Sequence, residues 1–311
     1  MITNNSLNRP WSTQMEITYG CYKRCPMCYH QVLDKPIGEY DFMTVRTAEE
    51  IGKKMLKAGW NGLRLEFAMR GEALLNPDFI RIIKTFRKYM TKSHITTSTN
   101  GNHLTKEMAY NYFKAGGNVF LVDCYDGNIN ERRVKYRKYG CRVTEYYKDD
   151  FNPYARNNIK KTQVLCLMDD IKTNSNKKRT RVLHNMGGNV DFNKTKHYGL
   201  LPLKEPIIRK CVKPFREIIF LHDGTIPLCC QDADIKQNMG NIYNIHDLNQ
   251  FWKKNKKLNI ARAIIYNKRR DLLEPCNKCD SNGGMRIGFL PKMKQLSEKQ
   301  LDQLQNLLKK Y

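Results

Sequence analysis

Cys21-Tyr-Lys-Arg-Cys25-Pro-Met-Cys28 spaces three cysteines by three and then two residues, directly after a strand-like run, Glu16-Ile-Thr-Tyr19, and a breaker, Gly20. Thiolate sulfurs are the soft ligands that iron–sulfur clusters take, and a compact loop can turn three of them toward one centre. Three thiolates leave one iron of a four-iron cluster without a protein ligand, open to something else. The competing reading is half of a zinc site, although zinc sites usually pair cysteines as C-x2-C and need a fourth ligand close by. The rest of the chain has to decide between the two.

At 311 residues the chain is long enough for one large domain and a smaller one. Residues 1–20 are polar, with no apolar core of the kind a secretory signal carries. No run of about 18 apolar residues occurs, so no membrane span is expected. The eleven cysteines form two spaced groups, at 21, 25 and 28 and at 211, 229, 230, 276 and 279, with 124, 141 and 166 apart from both. A secreted disulfide framework is denser and paired; this pattern reads as metal ligation in a reducing compartment, and a cytoplasmic location is expected. The formal charge of +25 favours anionic partners such as nucleic acid, phosphorylated metabolites or an acidic peptide, unless the lysines are merely solvated.

After the cysteine loop, Thr44 is placed to cap a helix whose apolar positions Ala48, Ile51, Met55 and Ala58 repeat at helical spacing. Residues 63–68 alternate as a strand and run into Arg70-Gly71-Glu72. A second helix carries Phe79, Ile83, Phe86 and Met90 on one face; residues 94–98 form a strand that ends in Thr99-Asn100-Gly101. Thr105 caps a third helix, and residues 118–124 form a strand ending near Asp123. Residues 141–146 and 162–168 supply two more strands. Strand–helix alternation at intervals of roughly 30 residues predicts right-handed βαβ units and a parallel sheet. Six strands make a partial barrel, and the polar motifs fall at the C-terminal ends of its strands, where ligands gather in such architectures.

Residues 170–200 become basic and polar and read as a linker. Beyond it, apolar runs on either side of His222-Asp223-Gly224 predict a β-hairpin that brings Cys211 and Cys229 together. Cys276 and Cys279 add a pair, and a helix carrying Phe251, Trp252 and Leu258 lies between. Eight basic and no acidic residues fall in 253–270, and Ser297 and Gln300 open a C-terminal helix. The predicted division is 12–195, 196–290 and 291–311.

The C-x3-C-x2-C loop after an early strand resembles the signature of the radical S-adenosylmethionine (radical SAM) superfamily. Gly71 and Glu72 match its Gly-Gly-Glu motif with Arg70 in place of the first glycine, and Ser98, Asn100 and Gly101 match its turn after the third strand. Met27 stands where the family usually has an aromatic residue. Cys211-x12-Gly224-x4-Cys229, a Gly-Asn-Ile segment, a Trp-bearing helix and Cys276-x2-Cys279 resemble the twitch extension, the short form of the SPASM domain.

The resemblance implies an α/β fold: a partial (β/α)6 barrel followed by a small hairpin-plus-helix domain. It implies a [4Fe–4S] cluster on Cys21, Cys25 and Cys28 whose open iron holds S-adenosylmethionine, with Gly71, Glu72, Ser98, Asn100 and Asp123 around that cofactor. One auxiliary [4Fe–4S] cluster on Cys211, Cys229, Cys276 and Cys279 follows, with Cys230 as the alternative to Cys229. The implied chemistry is hydrogen abstraction by a 5′-deoxyadenosyl radical, ending in a two-electron oxidation or a cross-link, with Asp232 as a candidate base. A small molecule or peptide, anionic if the charge is a guide, is the implied substrate, and flavodoxin or ferredoxin the implied electron donor. RNA as substrate, or a zinc-stabilised nucleic-acid-binding protein, is the rival reading.

Overall fold

The structure is a computed structural model and describes residues 8–28, 30, 35–124, 128–146, 163–168, 184–195, 200, 202–281 and 290–311. Strand β1 (Ser12–Met15) opens the chain, and a short antiparallel pair, β2 (Thr18–Tyr19) with β3 (Asp41–Phe42), frames the cysteine loop. Helix α1 (Val45–Lys57) starts where Thr44 accepts a hydrogen bond from the Thr47 N–H at 3.1 Å, and buries Ala48, Ile51 and Met55. Then come β4 (Arg64–Phe67), α2 (Phe79–Tyr89), β5 (His94–Thr99), α3 (Lys106–Lys114, capped by Thr105) and β6 (Val119–Asp123). Helix α4 (Ile129–Lys138), β7 (Arg142–Glu145) and β8 (Val164–Met168) follow.

The main sheet has seven strands in the order β7-β8-β6-β5-β4-β1-β9, all parallel. Two features depart from the six-strand expectation. Strand β8 lies between β6 and β7, leaving the charged strand β7 at the edge. The seventh strand, β9 (Glu217–Phe220), comes from beyond the supposed linker, after the short helices α5 (Phe192–Thr195) and α6 (Lys213–Arg216). Its four residues are buried, as a parallel strand covered on both faces requires, and this draws it into the large sheet. The antiparallel pair of this region is β10 (Thr225–Pro227) with β11 (Asn238–Asn241). Segment 147–162 and the basic stretch 172–181 lie outside the described residues.

Alternation along the strands sorts the sheet into two faces. Leu65, Phe67, Phe120, Val122, Leu165 and Phe220 pack under the helices in the main core. On the other face the register sets Gln14, Glu66 and Thr96 side by side, with Ser98 a step further along β5. Beyond them that face turns apolar, with Val119, Leu121, Cys166 and Met168. Cys124 and Cys166 are fully buried and Cys141 packs against the main core, as small apolar residues do.

Helices α7 (Leu248–Lys254) and α8 (Lys256–Tyr266) close the C-terminal part, and α1 joins them to the sheet. The Trp60 indole N–H donates to Asn249 at 2.8 Å, and Trp60 meets Trp252 edge-on at 6.4 Å. Two of the eight basic residues in 253–270 are not surface charge at all. Arg262 is wholly buried, donating to the carbonyls of Pro214 and Trp252, and Arg270 is 1% exposed. Helix α9 (Glu298–Leu308) carries the predicted capping box between Ser297 and Gln300 and buries Leu301 and Leu308.

Candidate active site

The cysteine loop stands at the C-terminal end of the sheet. Arg24 folds it, donating to the carbonyl of Cys21 at 2.7 Å and of Lys35 at 2.5 Å. Cys21, Cys25 and Cys28 are all partly exposed. Burial pushes their thiols up, Cys25 to about 11 and Cys28 to about 12; neighbouring thiols add to the rise of Cys25 and Cys28, and the Glu72 carboxylate to that of Cys21. Thiols raised in this way become thiolates only when a positive centre binds them.

Gly71 is explained by close packing: a Cβ there would lie 2.1 Å from the Thr18 carbonyl oxygen. The segment pairs with Gly20, whose N–H donates to Arg70 and whose carbonyl accepts from Glu72. Arg70 in place of a glycine therefore leaves that pairing intact. Met69 just before it has φ 120°, a strained value for a non-glycine residue, at the turn out of β4. The Glu72 carboxylate is buried; it accepts from the Thr99 hydroxyl at 2.6 Å, the Asn100 N–H at 2.9 Å and the Leu74 N–H at 3.2 Å. Burial raises its pKa against those three donors. Glu72 thus ties its own loop to the end of β5.

Asn100 and Gly101 form a braced turn. Asn100 accepts from the Tyr22 hydroxyl at 2.7 Å, and its carbonyl accepts from Arg132 at 2.6 Å. Tyr136 donates to the Gly101 carbonyl at 3.2 Å. Tyr22 therefore docks the cysteine loop on the β5 turn, and Arg132 and Tyr136 support the turn from α4. Ser98 is the one half-buried position in an otherwise buried strand. Asp123 ends β6 close enough to Cys25 and Glu72 to raise the pKa of both. The structure thus gathers all the predicted cofactor-site residues at one end of the sheet.

Arg70 does more than fill a glycine position. It is 4% exposed and makes a two-pronged ion pair with the fully buried Glu16, at 2.7 and 2.8 Å. His222 Nδ1 lies 2.9 Å from the same carboxylate, and the guanidinium sits 4.3 Å from the centre of the Tyr19 ring. Its remaining nitrogen donates to the carbonyl of Ala233 at 2.9 Å, four residues beyond Cys229. Burial alone would raise the Glu16 pKa; Arg70 and His222 overcome it and hold the carboxyl below its ordinary value. Arg70 is thus a direct strut between the Gly71–Glu72 loop and the second cysteine group.

Cys211, Cys229, Cys276 and Cys279 are buried at 4–7% exposure. Burial, the adjacent Cys230 and then Cys276, Cys279 and Cys211 push the Cys229 thiol well up, and the Cys230 sulfur accepts from the Lys213 ammonium at 3.0 Å. Among the described residues no three ligand-type side chains converge as a single-ion site requires. The supposed linker is part of this site. Asn185, fully buried, donates to the Lys278 carbonyl at 2.7 Å, and its oxygen accepts from the Asp280 N–H at 3.1 Å. A Cβ on Gly187 would lie 2.4 Å from the Gln231 carbonyl oxygen. Asp232 is buried, and both its oxygens accept backbone N–H bonds, from Lys236 at 2.8 Å and Gln237 at 3.0 Å. Burial still lifts its pKa to about 6.

The family model of the radical SAM superfamily matches residues 15–148, and that of the SPASM iron–sulfur cluster-binding domain matches residues 211–280. The chain thus carries a radical SAM domain followed by a SPASM iron–sulfur cluster-binding domain. Its cofactors are a [4Fe–4S] cluster with S-adenosylmethionine and an auxiliary iron–sulfur cluster in the SPASM domain. No curated protein matches the sequence. Among solved structures the fold is similar to that of BtrN in complex with AdoMet and 2-DOIA, at TM-score 0.65 and 20% identity over 88% of this chain and 94% of that one. An open conformation of BtrN gives TM-score 0.57 at 16% identity over 88% and 93%. Native anSMEcpe with bound AdoMet gives 0.50 at 15% identity over 84% of each chain. No helix among the described residues is long and apolar enough to cross a membrane.

Glu16, Tyr22, Arg132, Asn185 and His222 were not singled out from the sequence. Their contacts reach up to 206 residues along the chain, and no local pattern encodes such a distance. Arg70 had a signal, since a bulky cation in a glycine position needs a buried carboxylate somewhere.

Proposed function

We propose that this radical SAM enzyme removes two electrons from a small polar substrate, with the auxiliary cluster as electron acceptor. The observation that carries the reading is the Arg70–Ala233 strut, which fixes the loop after Cys229 to the loop before Glu72. A cluster that only stabilised a distant fold would need no such tie to the cofactor end of the sheet.

In this reading Cys21, Cys25 and Cys28 ligate the first cluster, and Cys211, Cys229, Cys276 and Cys279 the auxiliary [4Fe–4S] cluster. The chemistry of the donor sets suits iron–sulfur clusters: three thiols in one partly exposed loop, and four buried thiols in the second group. When bound, the first cluster and S-adenosylmethionine supply a 5′-deoxyadenosyl radical that takes a hydrogen atom from the substrate. The protein's own work is positioning and exclusion of water. Gly71, Glu72, Ser98, Asn100 and Asp123 border the S-adenosylmethionine site. Glu72 sets the loop geometry through Thr99 and Asn100, so its contribution is as much to shape as to direct contact. Asp232, with its pKa lifted to about 6, is the proposed proton acceptor, and its two backbone bonds hold it in one orientation.

The proposed substrate class rests on the sheet face opposite the main core, where Gln14, Glu66, Thr96 and Ser98 place hydrogen-bonding groups side by side. The buried Thr96 hydroxyl has no partner among the described residues. Such a surface suits hydroxyl- or amine-bearing metabolites, and BtrN, similar in fold, is seen with 2-DOIA. Low-potential flavodoxin or ferredoxin is the proposed donor, and the proposed domains are 12–195, 196–290 and 291–311.

The test is anaerobic incubation of the reconstituted enzyme with S-adenosylmethionine, dithionite and a panel of deuterated polyols and amino sugars. Deuterium in 5′-deoxyadenosine, together with a product two hydrogens lighter, supports the proposal. Deuterium in 5′-deoxyadenosine only when deuterated peptides are supplied instead contradicts the substrate class.

A further inference from the structure

Arg270 belongs to a single 3-10 turn, Arg270–Leu272, and is 1% exposed. Two of its nitrogens are used: Nη1 donates to the Ser281 carbonyl and Nη2 to the Cys279 carbonyl, each at 2.8 Å. Its buried Nε has no partner among the described residues, and no carboxylate there pairs with it. The other buried cations of this region are compensated differently. Lys213 lies 3.6 Å from Glu217, and Arg262 stacks on Trp252 with its charge 4.2 Å from the ring centre. A guanidinium held dry beside two carbonyls costs several kcal/mol unless an anion offsets it. The Nη2 bond ties the guanidinium to the backbone of Cys279, one of the four buried thiols of the second cysteine group.

We infer that Arg270 is the counter-cation of the auxiliary cluster, offering Nε–H to a ligand sulfur and making the cluster a better electron acceptor. This rests on the proposed ligand set of Cys211, Cys229, Cys276 and Cys279. Four thiolates around a [4Fe–4S] core of charge 2+ carry a net charge of 2−, and taking up one electron makes it 3−. A nearby positive charge favours the more negative form. Net charge and hydrogen bonds to sulfur are the terms by which a protein sets a cluster's potential. Arg270 is thus a positioning residue, acting on the reaction through the cluster.

The experiment uses the full chain with Cys21, Cys25 and Cys28 changed to Ala, so that only the auxiliary cluster is loaded. Dithionite titration followed by electron paramagnetic resonance gives the ratio of reduced to oxidised cluster at a fixed potential. Arg270→Gln lowers that ratio about tenfold or more, which for a one-electron couple is about 59 mV. Arg270→Lys keeps the charge and stays close to the parent, although it loses the two-carbonyl fork. An Arg270→Gln protein with full iron and sulfide and an unchanged ratio overturns the inference. So does equal behaviour of the Lys and Gln variants, including equal failure to load, because the guanidinium then acts only by holding the loop. A parent that binds no cluster at these cysteines overturns the ligand reading, and the inference with it.

Discussion

Replacing Glu16 by Gln changes almost no volume but removes the charge that Arg70 is folded around. Glu16 is fully buried, and its two oxygens accept from the Arg70 N–H, its Nε at 2.7 Å and its Nη2 at 2.8 Å, and lie beside His222 at 2.9 Å. Whichever way the new amide turns, its NH2 faces at least one Arg70 donor, and the guanidinium is left buried without a carboxylate. Removing one partner of a buried pair costs about 3–5 kcal/mol. That is a large share of a total stability of roughly 5–15 kcal/mol. At about 2 °C per kcal/mol for a chain of this size, the melting temperature of Glu16→Gln falls by roughly 6–10 °C. Differential scanning calorimetry of the cluster-loaded proteins checks this. The double variant Glu16→Leu with Arg70→Met should melt above either single variant, because neither then leaves a stranded charge. A Glu16→Gln protein that melts within about 1 °C of the wild type would refute the argument that this pair is electrostatically load-carrying.

Gly71→Ala forces a Cβ to 2.1 Å from the Thr18 carbonyl oxygen, so the strand beside the cysteine loop must shift. S-adenosylmethionine affinity, measured by equilibrium dialysis, should fall roughly 5- to 150-fold, in line with an overpacking cost of roughly 1–3 kcal/mol. Arg132→Met removes the charged donor on the Asn100 carbonyl at 2.6 Å. Losing a hydrogen bond of about 1.5–3 kcal/mol should raise KM for S-adenosylmethionine roughly tenfold with iron content unchanged. For pH dependence the informative residue is Glu217: burial pushes its pKa up, but Lys213, Arg216 and Arg64 overcome this and take it from 4.5 down to about 2. A depressed carboxyl contributes stability above its unfolded pKa and loses it as pH falls toward the folded one. Urea midpoints of the cluster-free protein should therefore show about 2 kcal/mol lost between pH 7 and pH 3 from this group, a loss absent in Glu217→Gln.

Local chemistry made much of the fold legible. Thr44 and Thr105 cap the helices their positions predicted, and the runs around Leu65, Ile95, Val122 and Leu165 are the strands of the sheet. Pairing was less legible. Nothing in Val164–Met168 says that it inserts between β6 and β7, and residues 217–220 read as half of a hairpin because their partner β1 lies some 200 residues earlier. Segment 184–190 read as a linker because Gly187 and Gly188 look like a breaker. They are glycines because Gln231 and Lys278 leave no space for a side chain. Cysteine spacing marked out both cysteine groups, while the buried cations beside them, Arg70 and Arg270, became visible only once their burial was known.

The account stands on two cysteine sets holding two separate clusters, and iron and sulfide analysis with Mössbauer spectroscopy tests this most directly. The wild type should bind about eight irons, and about four should remain in each of two variants, Cys21/Cys25/Cys28→Ala and Cys211/Cys229/Cys276/Cys279→Ala. Only the first variant should lose reductive cleavage of S-adenosylmethionine outright. Zinc in place of iron at either set, or 5′-deoxyadenosine formed at the wild-type rate without Cys21, Cys25 and Cys28, would contradict it.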